Sequence, residues 1–525
     1  MFITNQFFQC AVIHKIGVKY TVVKGFSPSV NAKLENLFLN MIFKSSDRTV
    51  SGVLDMYIHE MTELEANGFT LTLEDGRQYQ IFVVMVQLIG DNLGLNGLLG
   101  FVESFTANYP CRLCKVPRAR FNETFIEDTH LLRTRESYEA DVCLNNPTVS
   151  GVKTSCAYNA LPSFHVTSNV FCDIMHDIAE GVARYLMASL LNSFVFKRNY
   201  FSLDNFNVRI SGYTYDHSCR PPPVSAEHIK NMSLNLSAAE MINLVLGLNL
   251  MIGDLVPVDD VEWEVYLMFR LVVLYCFGIA FSHEELEYLQ VIISEFLQEY
   301  RAVFAQSLTV KFHNMIHYPR VIKMLGPLYH IWVMRCEGKH SELKKAAHTS
   351  GSYKNICKTL AVRHQLKQSE RFMSQRSLDD ITYVHIPGAR VDSAVLADLP
   401  YGSQISELLG NYGLFREIFT TSCVTVGSIY YNVNDVLINV ACEDDLFPNF
   451  LVIKSVFLTD ERDCVFMCTC LLGVVFSHHY QAYEVVPNDR LVMLKSQNLQ
   501  DLPSPWPLKI RRANGVQYVS LRHKI

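Results

Sequence analysis

Apolar and polar residues alternate over short distances in the first part of the chain. Residues 16–24 (IGVKYTVVK) and 36–43 (NLFLNMIF) are short apolar runs between turn-forming residues, which predicts two buried strands. Residues 55–69 have apolar side chains at helical spacing and run into an Asn-Gly pair that is typical of a helix end. Residues 71–91 predict a strand, an Asp-Gly hairpin turn and a second strand with Asp91 at its tip.

The pattern changes twice further along the chain. From about residue 165 to residue 310, long amphipathic or wholly apolar segments at helical spacing predict a helical region. After roughly residue 370, short alternating segments separated by Asn, Asp, Pro or Gly predict a small antiparallel barrel or sandwich. The most membrane-like run, residues 265–281, is shorter than the roughly 20 residues needed to span a bilayer and contains Arg270. We therefore expect a buried helix there.

Composition limits the classes of protein to consider. With 525 residues, of which 49% are hydrophobic and 19% charged, the chain is expected to form two to four globular domains. The net charge of -6 gives no overall basic signature, so any nucleic-acid contact requires a local basic patch. The 15 cysteines are sparse, and the first residues lack the pattern of a signal peptide. We expect reduced cysteines in a nuclear or cytoplasmic protein that is neither secreted nor membrane-bound.

Two half-sites for a metal lie far apart in the sequence. Cys111 and Cys114 form a CxxC pair, which suits two corners of a tetrahedral zinc site but supplies only half of it. His313 and His317 are four residues apart, so on a helix they share a face, and Pro319 limits that helix. Ordinary surface or core histidines explain this pair equally well when it is considered alone. Taken together, the two pairs predict a Cys2His2 site.

Acidic residues give three further candidates. Asp91 follows a strand, where it is either a turn or helix cap or a ligand for a hard cation such as Mg2+. Residues 332–348 predict a helix with Glu337, His340, Ser341 and Lys344 on one face, which is either a solvated amphipathic face or a metal-binding carboxylate beside phosphate-contacting cations. The candidate DNA contacts are Arg335, Lys339, His340, Lys344 and Lys345. The third candidate, DIMHDIAEG, contains Asp173, His176, Asp177 and Glu180; its DxxH spacing suits a metal, but we favour a structural role near a helix start.

Seven blocks scattered over residues 14–366 read HKIGVKY, GDNLGLNGLLGFVESFTANYPCRLC, LPSFHV, DIMHDIAEGV, HYPRVIKMLGPL, MRCEGKH and TLAVRHQL. Together these blocks resemble the CACTA-related transposases of animals, within the CACTA, Transib and RAG recombinase group of DDE enzymes. The resemblance implies a fold of mixed class: an α/β core of RNase H-like type, an all-α insertion and a β-rich C-terminal domain. We assign the core to residues 1–115 and 305–368, the insertion to 116–304 and the C-terminal domain to 369–525.

The same resemblance assigns roles to the candidate residues. Asp91 matches the second acidic ligand of the family and Glu337 the third, which together with a first aspartate hold the Mg2+ ions that activate water or a 3'-hydroxyl for attack on DNA. Cys111, Cys114, His313 and His317 match a structural zinc site that connects the insertion to the sheet. Duplex DNA and further copies of the chain are the implied partners, with no membrane or small-molecule substrate.

The chain departs from the family at the first acidic ligand. The family's first aspartate lies on the first strand, just before the block matched by HKIGVKY, whereas only thirteen residues precede His14 and the first aspartate is Asp47. FITNQFF can replace that central strand, but it contains no carboxylate. We therefore predict a transposase-derived protein that no longer cuts DNA. The alternatives are a fragment of an active Mg-dependent transposase and a zinc-stabilised scaffold for protein interactions.

Overall fold

The computed structural model describes two compact units. It covers residues 2–11, 14–44, 50–215, 219–351, 353–374, 378, 403, 418–427, 429–439, 447–459, 464–504 and 506–525, so Asp47 lies outside the described residues. The first unit comprises Met1–Val182 and Gly278–Leu378, and the second comprises Ala183–Phe277 and Asp379–Ile525. The predicted insertion, residues 116–304, is divided between the units: residues 116–182 and 278–304 belong to the first unit, and residues 183–277 belong to the second unit together with the C-terminal strands.

The helices and strands are named in chain order. The helices are α1 Pro28–Ala32, α2 Val50–Ala66, α3 Asn92–Leu98, α4 Arg135–Leu144, α5 Pro147–Ser150, α6 Ala183–Leu191, α7 Leu203–Gly212, α8 Ala226–Lys230, α9 Ala238–Ile252, α10 Val261–Cys276, α11 His283–Phe304, α12 Val310–Met315, α13 Tyr318–Leu325, α14 Met334–Ser350 and α15 Ile356–Met373. The strands are β1 Phe2–Ala11, β2 His14–Val22, β3 Phe38–Lys44, β4 Phe69–Thr72, β5 Gln78–Ile81, β6 Gln87–Gly90, β7 Ile418–Thr421, β8 Cys423–Val426, β9 Ile429–Asn432, β10 Val436–Ile438, β11 Phe450–Thr459, β12 Cys464–Ser477, β13 Ala482–Lys495, β14 Ile510–Ala513 and β15 Val516–Val519.

A four-stranded sheet with the order β3-β2-β1-β6 forms the centre of the first unit. The segment FITNQFF lies in β1, which runs antiparallel to β2 and parallel to β6, with Asn5 in register with Gly90. The chain returns to this sheet at Val170, which forms a parallel bridge with Leu88 on β6. The two strands predicted between residues 16 and 43 are confirmed as β2 and β3, and the following predicted helix as α2. Asp91 thus lies at the point where the chain leaves β6, the strand that pairs with the inner strand β1.

The predicted hairpin of residues 71–91 is only partly correct. Strands β4 and β5 form a separate two-stranded sheet, and β6 belongs to the main sheet, so the predicted second strand is in fact two strands. Strand β5 does not continue into β6, because the backbone N–H groups that follow β5 form hydrogen bonds outside the hairpin. Val83 N donates to the Leu64 carbonyl at 3.2 Å, and Met85 N donates to the Ser163 hydroxyl at 3.0 Å.

The second unit combines helices α6 to α10 with the C-terminal strands. Seven of these strands form one sheet, with the order β10-β11-β12-β13-β15-β14 and β7 paired to β11. A bridge between Val436 and Leu508 connects β10 to the residues just before β14. Long apolar helices begin at well-formed caps; α9, for example, has a capping box of Ser237 and Glu240.

The most apolar helices are part of the core of this second unit. Among the described residues one window, Ala238–Leu255, is long and apolar enough to cross a membrane, and 78% of it is buried in the structure. Arg270 on α10 is fully buried and donates to the Ser520 hydroxyl at 2.6 Å and the Leu521 carbonyl at 2.8 Å. A buried cation with such partners belongs to a protein interior. The prediction of a buried helix is confirmed for residues 265–276, but α10 ends there and residues 277–281 are not helical.

Candidate metal centre

Four buried side chains of the first unit converge on one point. The ligand atoms of Cys111, Cys114, His313 and His317 all lie within 4.8 Å of one another. Cys111 Sγ is 3.5 Å from His317 Nε2, and Cys114 Sγ is 3.1 Å from His313 Nε2. The two imidazole rings are 5.2 Å apart and nearly perpendicular, at 85°. The structure thus brings together the two half-sites that the sequence predicts.

Local structure around the histidines differs from the prediction. His313 lies on α12, but this helix ends at Met315, and Pro319 stands in the first turn of α13. Proline is tolerated there because the first helical N–H groups have no intrahelical acceptor. Tight turns, with Ile316 N donating to the His313 carbonyl at 3.2 Å, join the two helices and keep both rings on one side. Pro319 therefore begins a helix and does not limit the helix of His313.

The donor set fits a zinc ion. Zinc distances of about 2.3 Å to sulfur and 2.0 Å to nitrogen give tetrahedron edges of roughly 3.5 Å, close to the two sulfur–nitrogen contacts. Burial raises the pKa of the Cys111 thiol, but a hydrogen bond from Cys114 and the charge of His317 outweigh burial and lower it well below its usual range. Burial and the hydrogen bond to Cys111 raise the pKa of the Cys114 thiol well above its usual range, so without metal one thiolate and one thiol stand beside the imidazole nitrogens, and zinc binding would release the remaining proton. The buried group can therefore hold zinc.

Neighbouring side chains orient the imidazoles. Glu127 accepts a hydrogen bond from His317 Nδ1 and pairs with Arg320, whose Nε lies 2.8 Å from its carboxylate. The His313 ring stacks on Phe121 with centroids 4.2 Å apart. A carboxylate on Nδ1 fixes the tautomer that presents Nε2 to a metal. Sequence analysis missed Glu127, because a single acid in a loop has no spacing that identifies it.

Asp91 and Glu337 lie outside this cluster. Asp91 is the N-cap of α3, and its Oδ1 accepts a hydrogen bond from Gly94 N at 2.7 Å, so the helix-cap interpretation is confirmed. Glu337 is in the first turn of α14, with 42% of its side chain exposed and Oε1 3.7 Å from His176 Nε2. Burial raises the pKa of Glu337, and the charge of Asp91 contributes in the same direction. The negative charge of Asp91 thus adds a little to the effect of burial on Glu337.

His176 connects Glu337 to the buried Asp173. His176 Nδ1 lies 2.5 Å from Asp173 Oδ2, and Asp173 also accepts from Val333 N at 3.2 Å, at the start of α14. Burial lowers the pKa of His176, but the bond and charge of Asp173, with smaller effects of Glu337 and Asp91, raise it to about 9. These bonds agree with the structural role predicted for the DxxH motif. They also place a cationic imidazolium beside the carboxylate of Glu337.

A buried polar network joins the metal centre to the Asp91 helix. Asp177 accepts hydrogen bonds from Asn92 at 2.8 Å and from Asn314 at 3.0 Å, and Arg112 donates to Asn92 Oδ1 at 2.7 Å. Asn314 follows His313 on α12, whereas Asn92 is the first residue of α3. Burial raises the pKa of Asp177 to about 7. No spacing rule could have identified this network, because its members come from four separate segments.

The structure separates the five candidate DNA contacts into two groups. Lys339 and His340 are buried, with exposures of 2% and 4%, because they lie on the inward face of α14. Lys339 Nζ contacts Glu342 at 3.2 Å, and the His340 ring is 5.7 Å from that of Tyr20. Their assignment as DNA contacts is corrected on this ground. Lys344 and Lys345 are exposed and Arg335 is half-buried.

Comparison with known proteins leaves the family open. The chain matches no protein-family model, and no curated protein is significantly similar to it. A functional conclusion therefore rests on the geometry of the site together with the resemblance of the sequence blocks.

Proposed function

We propose that this chain is a transposase-derived protein of the DDE type that binds duplex DNA and no longer cuts it. One observation carries the proposal: cysteines and histidines that are 199 and 206 residues apart form one buried Cys2His2 group. The resemblance to CACTA-related transposases requires these four residues to meet. In this proposal zinc is structural, since it would fasten the CxxC loop to the joint between α12 and α13.

The sheet supports an RNase H-like core. In such a core the first strand is central, between the second strand and the strand that carries the second acidic ligand. Here β1 lies between β2 and β6, and Asp91 directly follows β6. Glu337 Oε1 lies 3.7 Å from His176 Nε2, and the charge of Asp91 adds a small contribution to the raised pKa of His176, which supports a position of both carboxylates near this imidazole.

The central strand also supports the loss of cleavage. The residue of β1 in register with Gly90, next to Asp91, is Asn5, and FITNQFFQCA contains no aspartate or glutamate. Two Mg2+ ions that hold both the attacking and the leaving oxygen need three carboxylates in this class of enzyme. The imidazolium of His176 beside Glu337 further disfavours a second cation at that position.

Binding and cleavage are tested on the purified full chain. We expect the affinity for duplex DNA to fall steeply as the salt concentration rises. K344Q/K345Q should bind DNA more weakly, and its affinity should depend less steeply on salt, because two phosphate contacts are lost. Lys153→Gln, an exposed lysine elsewhere in the first unit, is the matched control. Supercoiled plasmid with Mg2+ or Mn2+ should stay intact. Nicking that disappears in Asp91→Asn and Glu337→Gln would instead support an active transposase fragment.

A zinc-stabilised interaction scaffold is the second candidate. The burial of Lys339 and His340 favours the scaffold, because it leaves less basic surface on α14 for contact with DNA. The net charge of -6 favours the scaffold as well. This candidate predicts about one zinc per chain and no duplex binding even at low salt. The same binding experiment therefore decides between the two.

A further inference from the structure

A small cavity in the second unit is lined by cationic side chains. It lies between α9, the residues that follow α7 and the C-terminal residues of the chain, and Arg511 and Arg522 both line it. Its volume of about 10 Å3 gives room for one water-sized particle. All residues that line it belong to the second unit, so one compact body contains the whole cavity.

A third guanidinium group lies directly behind the wall of the cavity. Arg270 is fully buried and donates to the Ser520 hydroxyl and the Leu521 carbonyl, and both of these residues line the cavity. Its other acceptors in the described part of the chain belong to Leu246 and Gln481, which are neutral as well. A buried charge is normally compensated by an opposite charge. The surroundings of Arg270 therefore favour an anion nearby.

The cations around the cavity repel one another. Burial lowers the pKa of Arg270, and the positive charge of Arg511 lowers it further. Residues 502–525 contain three arginines and two lysines but no aspartate or glutamate, in a chain whose net charge is -6. Charges interact strongly where little water surrounds them. An anion in the cavity would therefore reduce an existing repulsion.

Ser520 supplies an oriented hydrogen-bond donor to the cavity. Its Oγ accepts from Arg270 at 2.6 Å and from Asn249 Nδ2 at 3.1 Å. A serine hydroxyl has two acceptor positions and one donor hydrogen. Because both acceptor positions are occupied, the hydrogen of Ser520 remains for an acceptor in the cavity.

Arg511 is held in place before any ligand binds. Its Nε and one terminal nitrogen donate to the Thr214 carbonyl at 3.2 and 3.0 Å, and its guanidinium group lies 4.8 Å from the centre of the Tyr213 ring. A Cβ on Gly247 would lie 2.9 Å from Tyr213 Cε1, so glycine at this position of α9 leaves room for the ring. Such preorganisation lowers the cost of binding.

We propose that this cavity binds a single halide ion, chloride under ordinary conditions, between Arg511, Arg522 and Ser520. These three residues supply donors, and the charge of Arg270 acts from behind the wall. The carboxamide oxygen in the lining, Asn243 Oδ1, accepts from Arg522 at 3.4 Å and so turns toward a cation. The volume admits one atom and excludes a phosphate or a carboxylate group. A DNA phosphate does not fit, so this inference does not rest on the proposed function.

Hydrogen exchange of the full chain tests the site, with sodium chloride compared to sodium gluconate at equal ionic strength. Gluconate is the reference because it is too large for the cavity. For a dissociation constant of about 10 mM, peptides from β14 and β15 should become about 10-fold better protected between 0 and about 100 mM chloride, and the gain should saturate. Bromide should act as chloride does, whereas peptides from β2 and β3 of the first unit should not respond.

Two variants compare a cation of the cavity with a cation outside it. Arg522→Gln removes a lining residue, and Arg512→Gln is the matched control, since Arg512 is exposed on β14 and does not line the cavity. The chloride effect should disappear in Arg522→Gln and persist in Arg512→Gln. NMR of the chloride nucleus needs no variant: wild-type protein should broaden the chloride line, and bromide should narrow it again by displacement.

Several results would reject the halide site. They are wild-type exchange that does not respond to chloride, an equal gain of protection in gluconate, a gain that rises without saturation, or an equal chloride effect in Arg522→Gln and Arg512→Gln. A gain of the same size in the first unit would show a general salt effect and would also reject the site. If Arg522→Gln does not fold, the NMR measurement decides, and a chloride line that bromide leaves unchanged would end the proposal.

Discussion

The buried side chain of Lys19 makes the folded state less stable. Its side chain on β2 is 1% exposed, with Nζ 3.2 Å from the Tyr158 hydroxyl and 2.9 Å from the centre of the Tyr57 ring. Burial lowers the pKa of Lys19 from 10.5 to about 6. The ring face compensates only in part for the water that the ammonium group has lost.

This pKa predicts a pH-dependent stability. Between pH 6 and pH 10 the unfolded chain binds a proton at Lys19 that the folded chain does not, so the free energy of unfolding should rise with pH. Lys19→Met should remove this part of the slope and stabilise the protein at pH 7 by about 2–4 kcal/mol. Urea unfolding at several pH values measures both effects, with the exposed Lys358→Met as control. An unchanged slope in Lys19→Met would contradict the assignment.

At the scale of elements, the short helix α3 determines where Asp91 points. Asp91 caps α3, and a Cβ on Gly94 would lie 2.8 Å from Asp91 Oδ2. A Cβ on Gly97 would meet only the end of the Glu103 side chain, at 2.7 Å, and that side chain is 49% exposed and can move. Substitution by alanine should therefore be unfavourable at Gly94 and tolerated at Gly97.

We expect Gly94→Ala to destabilise the protein by about 1 kcal/mol, the usual loss for a helix cap, although alanine is the better helix former. Gly97→Ala should stabilise it by about 0.5–1 kcal/mol, because the backbone loses less entropy on folding. Chemical unfolding of both variants beside the wild type gives the comparison. Equal effects of the two substitutions would show that the Asp91 cap does not depend on Gly94.

The elements also show what the sequence could and could not predict. The short spacing within the pair Cys111 and Cys114 and within the pair His313 and His317 predicted the candidate metal centre, because such pairs are typical of tetrahedral zinc sites. Strands β2 and β3 and the core helices followed from apolar periodicity. The inward position of Lys339 was missed, because which face of α14 is buried depends on the packing of the whole unit. Glu127 was missed, and Asp177 was noted only as part of the helix-start motif, because the contacts of both residues are distant in sequence.

At the scale of the molecule, the two units should respond differently to the metal. All four candidate ligands lie in the first unit, which spans 1–182 and 278–378, whereas the second unit has its own apolar core between the strands. Binding energy at a site that exists only in the folded state adds to the stability of the part that contains it. Metal removal should therefore act on one unit selectively.

We expect a strong chelator to increase hydrogen exchange across α12 and α13 while peptides from β11 and β12 stay protected. Cys111→Ser should reproduce this pattern and lower the zinc content, because three ligands hold the ion less tightly than four. Cys143→Ser is the matched control, since Cys143 is exposed on α4 and is not part of the cluster. If both units lost protection together, or if Cys143→Ser behaved like Cys111→Ser, the metal would not stabilise the first unit selectively.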